Sequence, residues 1–330
     1  MSVKHANISV FVPHLGCPNQ CSFCNQRYIA CVSETPNEDT VHNAVRVAKK
    51  SNSYNPQNTE IAFFGGSFTA IDRKYMCSLL SAAKIYVDDG TVSGIRISTR
   101  PDAINNEILE ILKNYGVTAI ELGAQSMFDG VLNLNKRGHT VNDVCVAAAL
   151  IKQHGFSLGL QMMTGLYGSN DGLDLQSAEK IIELKPDTVR IYPTIVLQNT
   201  DLEKLYKTGE YTPQTLDMAV DLVSKILLKF RQENINVIRT GLHTIDTDRF
   251  VAGPWHPSFK ELCDAKIFLN TALGVLKDKG EYEIYVNDKS VSKMIGQKRE
   301  NIEKLQNLGY KCRIFTDKAL GEYDLIIKGK

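Results

Sequence analysis

The sequence has one tryptophan, no run of about 18 apolar residues that could span a bilayer, and almost no net charge. Its 38 Lys and Arg stand against 37 Asp and Glu, a formal +1. The missing apolar run excludes a membrane-spanning helix, and no charged–apolar–small leader opens the chain. Balanced charge excludes a global pull toward nucleic acid, so any basic surface has to be local. No fixed-period repeat or low-complexity tract is present, so nothing suggests a repeat array. Without a leader, the eight cysteines read as thiols or metal ligands in a reducing cytoplasm rather than as disulfides. What remains is 43% hydrophobic and 23% charged residues, the make-up of an ordinary globular protein. A length of 330 residues suffices for one large α/β domain with a small appendage.

Three cysteines crowd together as Cys17-x3-Cys21-x2-Cys24, directly after the apolar residues 7–13. Thiolates this close can hold one soft metal centre, either zinc or an iron–sulfur cluster. Structural zinc wants a fourth ligand, which only His14 or Cys31 could supply nearby. A zinc knuckle of that kind, or a set of reduced buried thiols, stays open at this point. Three thiolates on a 4Fe–4S cluster would leave one iron free to bind a substrate or cofactor.

Short apolar runs alternate with helical patterns. Strands are expected at residues 7–13, 59–64, 94–98, 117–122, 156–163 and 188–192, and helices at 39–50, 72–87, 102–114, 141–153, 173–184 and 213–231. Asp72, Asp102 and Thr140 read as helix N-caps. Six such strands predict parallel β/α units, curled by right-handed crossovers into an open or closed barrel. Active sites of such barrels collect at the C-terminal ends of the strands, where the cysteine loop begins. The pattern changes after residues 237–240. Residues 1–258 read as the core with a wrapping, turn-rich loop, 259–277 as a connecting helix, and 278–330 as a small α/β module with a helix at 290–308.

Several motifs fall at the expected strand ends. Gly65-Gly66-Ser67 would let the backbone approach a ligand closely, although a glycine pair is more often a plain turn. Thr99 and Arg100 end the third strand, where a guanidinium could hold a carboxylate or phosphate. Gln125 ends the fourth strand, and Lys136-Arg137-Gly138-His139 precedes a helix start, a natural anion site or else a solvated loop. Gln161 alternates with Met162 and Met163 at the end of the fifth strand. His243 and Trp255 read as packing residues, and Cys77, Cys145, Cys263 and Cys312 as small buried hydrophobes.

The cysteine spacing, with Phe23 ahead of the third cysteine, resembles the signature of the radical S-adenosylmethionine (SAM) family. The resemblance implies a partial (β/α)6 barrel in which Cys17, Cys21 and Cys24 hold a 4Fe–4S cluster and the open iron chelates SAM. It implies one-electron cleavage to a 5′-deoxyadenosyl radical that abstracts hydrogen from a substrate, with an electron donor such as ferredoxin or flavodoxin. Gly65 and Gly66 then meet the SAM amino group, with Ser67 where the wider family usually has Glu. The runs GGSFT, ELGAQS…NKRGHT and RIYPTIVLQNTDLEKLYKTGEY, over about residues 8–240, are similar to the catalytic subunit of the elongator complex. That family modifies the wobble uridine of transfer RNA. The same positions resemble, less closely, oxygen-independent coproporphyrinogen oxidase, which implies Arg137 at the SAM carboxylate and Gln125 and Gln161 beside the ribose. Two departures bear on the reaction. The elongator subunit spaces its first two cluster cysteines more widely, and no stretch here resembles its acetyltransferase domain, so its carboxymethylating reaction is not expected.

In the last module, Met294-Ile295-Gly296-Gln297-Lys298-Arg299 resembles the core of a KH domain, whose Gly-x-x-Gly turn clamps a nucleotide backbone. Arg299 stands in place of the second glycine. Lys289, Lys293, Lys298, Arg299, Lys304, Lys311 and Arg313 outnumber Asp288, Glu300 and Glu303 nearby. RNA contacts are therefore expected at Lys293, Gly296, Lys298 and Arg299. The leading expectation is a transfer-RNA-modifying radical SAM enzyme. The alternatives are one acting on a small molecule with a purely structural last module, or a non-catalytic cluster-binding sensor.

Overall fold

A parallel strand covered by helices on one face and by the barrel interior on the other has to be apolar nearly throughout. The short apolar runs meet that condition. In the computed structural model, which describes residues 5–12, 17, 20–24, 35–242 and 247–329, they form the expected strands. The elements run β1 (Ala6–Val12), α1 (Glu38–Ala48), β2 (Thr59–Gly65), α2 (Arg73–Asp88), β3 (Gly94–Thr99), α3 (Asn106–Asn114), β4 (Val117–Gln125), α4 (Asp129–Leu134) and α5 (Val141–Gln153). They continue with β5 (Ser157–Thr164), α6 (Asp171–Glu183), β6 (Thr188–Pro193), β7 (Val196–Leu197), α7 (Asp201–Thr208), α8 (Leu216–Gln232), β8 (Asn236–Thr240), β9 (Phe250–Ala252) and α9 (Phe259–Val275).

Strands β1, β2, β3, β4, β5, β6 and β8 lie side by side in that order, all parallel. They make a curled half-barrel of the expected class with a seventh strand added. The seventh, β8, buries only Thr240, so its apolar signal is weak. The helices start where short polar side chains can take the free N–H groups: Asn37, Asp72, Thr140, Asn170 and Thr215 each accept from a first-turn amide. Asp102 does not cap α3. Pro101–Ala103 forms a single 3-10 turn, and Asn105 is the cap. Among the described residues no helix is long and apolar enough to cross a membrane.

The barrel interior carries charge. Arg96 on β3 lies between Glu60 on β2 (2.8 Å) and Glu121 on β4 (3.3 Å), and Arg190 on β6 grips Glu121 with two nitrogens at 2.7 and 3.0 Å. Although Glu60 is buried, hydrogen bonding from His5 and the charge of Arg96 hold its carboxyl down at about 2. Buried ions persist only when each is paired, and the ladder runs Glu60–Arg96–Glu121–Arg190 across four strands.

The last module contains β10 (Gly280–Val286), α10 (Val291–Ile295), α11 (Glu300–Asn307), β11 (Tyr310–Thr316) and β12 (Leu325–Gly329). Its sheet runs β11-β10-β12, with β10 parallel to β11 and antiparallel to β12. The helix expected over 290–308 is broken in two. Gly296 turns the chain at φ +76°, and a Cβ there would press within 3.1 Å of Asn301. The buried Asn301 amide donates to Ala265 O of α9 at 2.8 Å and to Met294 O at 3.2 Å, the second a carbonyl that the short α10 leaves free. Helix α9 serves both halves. Its Phe259, Cys263 and Ile267 join the barrel core, while Phe268, Leu269 and Ala272 join Ile284, Val286, Met294 and Leu305 of the module. At the seam the Arg231 guanidinium of α8 lies 3.0 Å from the Tyr323 ring centroid, and Tyr323 donates to Asp264 at 2.9 Å.

Candidate functional site

The mouth is assembled from the C-terminal ends of β1 to β5. At the end of β2, Gly65 adopts φ +117°, and a Cβ there would come within 2.8 Å of Val12 O. The next amide, Gly66 N–H, donates to the same carbonyl at 2.9 Å. The glycine pair thus closes β2 against β1 at the point where the cysteine loop leaves. Ser67 and Thr99, both buried, hold each other: their hydroxyls lie 2.9 Å apart, Ser67 Oγ accepts from Arg100 N–H at 3.2 Å, and Thr99 Oγ1 meets Thr69 Oγ1 at 2.6 Å. Arg100 turns to Asp102, with Nε at 2.9 Å.

The end of β4 is irregular. The ladder to β5 slips between Gly123 and Gln125, and Gln125 sits at φ +66°, a left-handed conformation that a side chain adopts at a cost. The slip turns the Gln125 side chain to Gln161, whose Nε2 donates to Gln125 Oε1 at 3.2 Å. Arg137 reaches in from the segment after α4. Its Nη2 donates to Gly123 O at 2.8 Å, its Nη1 lies 3.0 Å from Cys21 Sγ, and its buried Nε has no partner among the described residues. A Cβ on Gly123 would strike both Gln125 Nε2 (2.9 Å) and Arg137 Nη2 (3.3 Å). Burial and the Cys21 sulfur push the Cys17 thiol up, opposed by a main-chain hydrogen bond from Ser67 and the charges of Arg100 and Arg137. Cys17, Cys21, Ser67, Arg100, Arg137, Gln125 and Gln161 therefore share one mouth.

Two residues anchor the cysteine loop: Ser22, which the sequence did not single out, and Phe23, which it did. Ser22 is fully buried; its hydroxyl donates to Asn135 Oδ1 at 2.7 Å, its N–H to Asn135 O at 3.1 Å, and its carbonyl accepts from Leu202 N–H at 2.8 Å. Phe23 packs between two apolar clusters, one with Val131, Met163 and Leu166, the other with Val196, Leu202 and Tyr211. His139, beside Arg137, is buried, and its Nδ1 has no partner among the described residues. Burial and the Arg137 charge pull it down to about 4, so it is a neutral imidazole near pH 7. His14, Cys31 and His243 lie outside the described residues. Among those described, no three His, Cys, Asp or Glu side chains converge on a single-ion site. Thiolates that each meet a different iron of a cluster need no such convergence.

A model of the radical SAM superfamily matches residues 11–181, and one of the radical SAM C-terminal domain matches 186–269. The chain belongs to the radical SAM superfamily. It is therefore a radical SAM enzyme, and members of that superfamily use a 4Fe–4S cluster and SAM. A tRNA uridine(34) acetyltransferase of Methanocaldococcus jannaschii is 32% identical over 185 residues, 50% of this chain and 34% of that protein. Elongator complex protein 3 of Saccharomyces cerevisiae is 36% identical over 137 residues, 41% of this chain and 25% of that protein. The chain thus spans about a third or less of the length of these two relatives. The structure of Methanocaldococcus infernus Elp3 with an N-terminal deletion superposes with a TM-score of 0.67 at 21% identity, over 85% of this chain and 66% of that one. At that identity the likeness is one of fold.

The expected RNA contacts lie apart from this mouth, in the last module. Lys298 and Arg299 are exposed on the turn between α10 and α11. Lys293 is turned away from it, paired with Glu322 and 4.4 Å from the Tyr323 ring centroid.

Proposed function

We propose that this radical SAM enzyme modifies a base of transfer RNA. In this reading Cys17, Cys21 and Cys24 hold the cluster, and Gly65, Gly66, Gln125, Arg137 and Gln161 line the SAM site. The observation that carries the site is Arg137, whose guanidinium spans Cys21 Sγ and Gly123 O, its buried Nε without a partner among the described residues. A guanidinium so placed offers charged donors to a carboxylate beside the cluster ligands. The donor set fits: three thiols on one anchored loop, with a glycine turn that lets main chain approach from β2. When bound, the cluster and SAM supply a one-electron cleavage that leaves a carbon radical.

The chain's own residues orient and shield. Gln125 and Gln161 present paired amides to a ribose or a base edge. Ser67 and Thr99, satisfied by each other, brace the β2 and β3 ends rather than offering free hydroxyls. Neutral His139 leaves Arg137 as the cation of the mouth next to Cys21. The transfer-RNA substrate is supported by the relatives' names, tRNA uridine(34) acetyltransferase and elongator protein, over the shared barrel. An electron donor such as ferredoxin or flavodoxin completes the scheme.

The deciding experiment compares transfer-RNA nucleosides by mass spectrometry from cells with and without the protein. Loss of one modified nucleoside is expected. Identical nucleoside profiles with a small molecule accumulating would replace this reading by the small-molecule one.

A further inference from the structure

One part of the barrel's inner wall is aromatic and open. Phe64 is the last side chain of β2 before the glycine turn, and it faces the lumen. The Arg190 guanidinium lies 5.2 Å from its ring centroid, although β6 is four strands along the sheet from β2. Phe11 on β1 pairs with Phe64 in register, and the two rings stand 6.3 Å apart at 50°. Along β1, Ile8, Val10 and Val12 are buried in the core, while Phe11 on the opposite face is 39% exposed. Strand β1 ends the sheet, so no further strand covers that ring. Val12, the next residue, meets the glycine pair, which puts the Phe11 ring directly under the mouth.

The polar groups around this ring divide into committed and free. Arg96 and Arg190 are neutralised by Glu60 and Glu121. Arg239, beside Arg190 on β8, gives Nε and Nη2 to the Gly241 and Leu242 carbonyls at 3.1 and 3.0 Å. Half-buried Ser98 lies two residues past Arg96 on the same face of β3, and its hydroxyl has no partner among the described residues. The Tyr192 phenol, two residues past Arg190, stands against that guanidinium.

Such a wall discriminates by charge and by shape. With its guanidinium groups already paired or bonded to main chain, it offers little to a substrate bearing several carboxylates. An open phenylalanine face favours a flat ring, since aromatic groups stack offset with centroids about 4.5–7 Å apart. A hydroxyl that can donate or accept suits the mixed edge of a heterocycle. A base taken out of its own stack for chemistry has that shape and that edge.

We propose that Phe11 is the stacking platform for the base that the enzyme modifies, with the Ser98 hydroxyl on the base edge. The proposal rests on the transfer-RNA reading and names the wall of that site which selects a neutral ring over a charged small molecule.

The test uses the cluster-loaded full chain and bulk transfer RNA from cells that lack the protein. Phe11→Leu is the decisive variant, because it keeps an apolar side chain in place and removes the ring. Its iron content should match the parent's. Its kcat/KM for transfer RNA should fall about tenfold, the scale of one base–aromatic stack, and Phe11→Tyr should restore the parent value. Ser98→Ala should lower kcat/KM about fivefold, the scale of one neutral hydrogen bond. Parent-like kcat/KM in Phe11→Leu, or a fall that Phe11→Tyr does not restore, overturns the platform and leaves the transfer-RNA reading standing. Iron loss in proportion to the lost activity makes Phe11 a support of the cysteine loop and overturns the platform as well. A parent that modifies no transfer-RNA nucleoside overturns both.

Discussion

Replacing Asn135 by alanine should loosen the cysteine loop without touching a cysteine. Asn135 is wholly buried, and its amide donates at 2.8 Å to both Val131 O and Tyr167 O while Oδ1 accepts from Ser22 Oγ at 2.7 Å. Alanine keeps the main-chain bond to Ser22 N–H and the helical bond to Val131 O. It strands the Ser22 hydroxyl and the Tyr167 carbonyl. Each buried polar group left unpaired costs about 1–3 kcal/mol, so the pair should cost about 2–6 kcal/mol. That is a large share of the roughly 5–15 kcal/mol by which a domain is stable. Ser22→Ala breaks the same bond from the other side, so the two changes should not add. Urea denaturation of both single variants and the double gives the stabilities, and the rate of iron loss to a chelator reports the loop. The expected order is parent, Ser22→Ala, then Asn135→Ala with the double variant no worse. A loss under about 1 kcal/mol for Asn135→Ala, below the cost of one stranded group, or full additivity in the double, would refute the clamp.

Arg137→Ala should weaken SAM binding by about 1.5–3 kcal/mol, the scale of hydrogen bonds to a charged group, measured by equilibrium dialysis. Unchanged affinity with lost turnover would place Arg137 at the substrate instead. Alanine at Cys17, Cys21 or Cys24 should remove most of the iron from anaerobically purified protein, whereas colourless protein carrying zinc would refute the cluster. The folded state holds His139 at about 4 against an unfolded value near 6.5. Between those values the unfolded chain takes up a proton that the folded chain refuses, so stability should rise with pH across that window. Asp174, which burial raises to about 6, slopes the other way. The parent-minus-His139→Gln difference in urea stability cancels that term, and a flat difference from pH 4 to 6.5 would show that His139 titrates normally.

The strands were legible because burial on both faces demands apolar runs, and the cluster loop because its cysteines are local in sequence. The interior ladder was legible in principle. Glu60, Arg96, Glu121 and Arg190 each place a lone charge inside an apolar strand run, a signal that four buried partners exist. The Asn135–Ser22 clamp gave none, since it joins residues 113 positions apart whose types are common anywhere. Asp102 and Asn105 are both good caps, and the Pro101 turn decides between them. Ser67 and Thr99 sit at the expected strand ends, where their hydroxyls bond each other, Arg100 N–H and Thr69 Oγ1.

Helix α9 lends one flank to the barrel core and the other to the module core, and Arg231, Tyr323 and Asp264 weld the seam. A helix shared in this way cannot swivel without emptying one of the two cores. The module is therefore framed on the same beam as the barrel. A change that loosens one core is felt in the other, so the two should unfold together rather than one after the other.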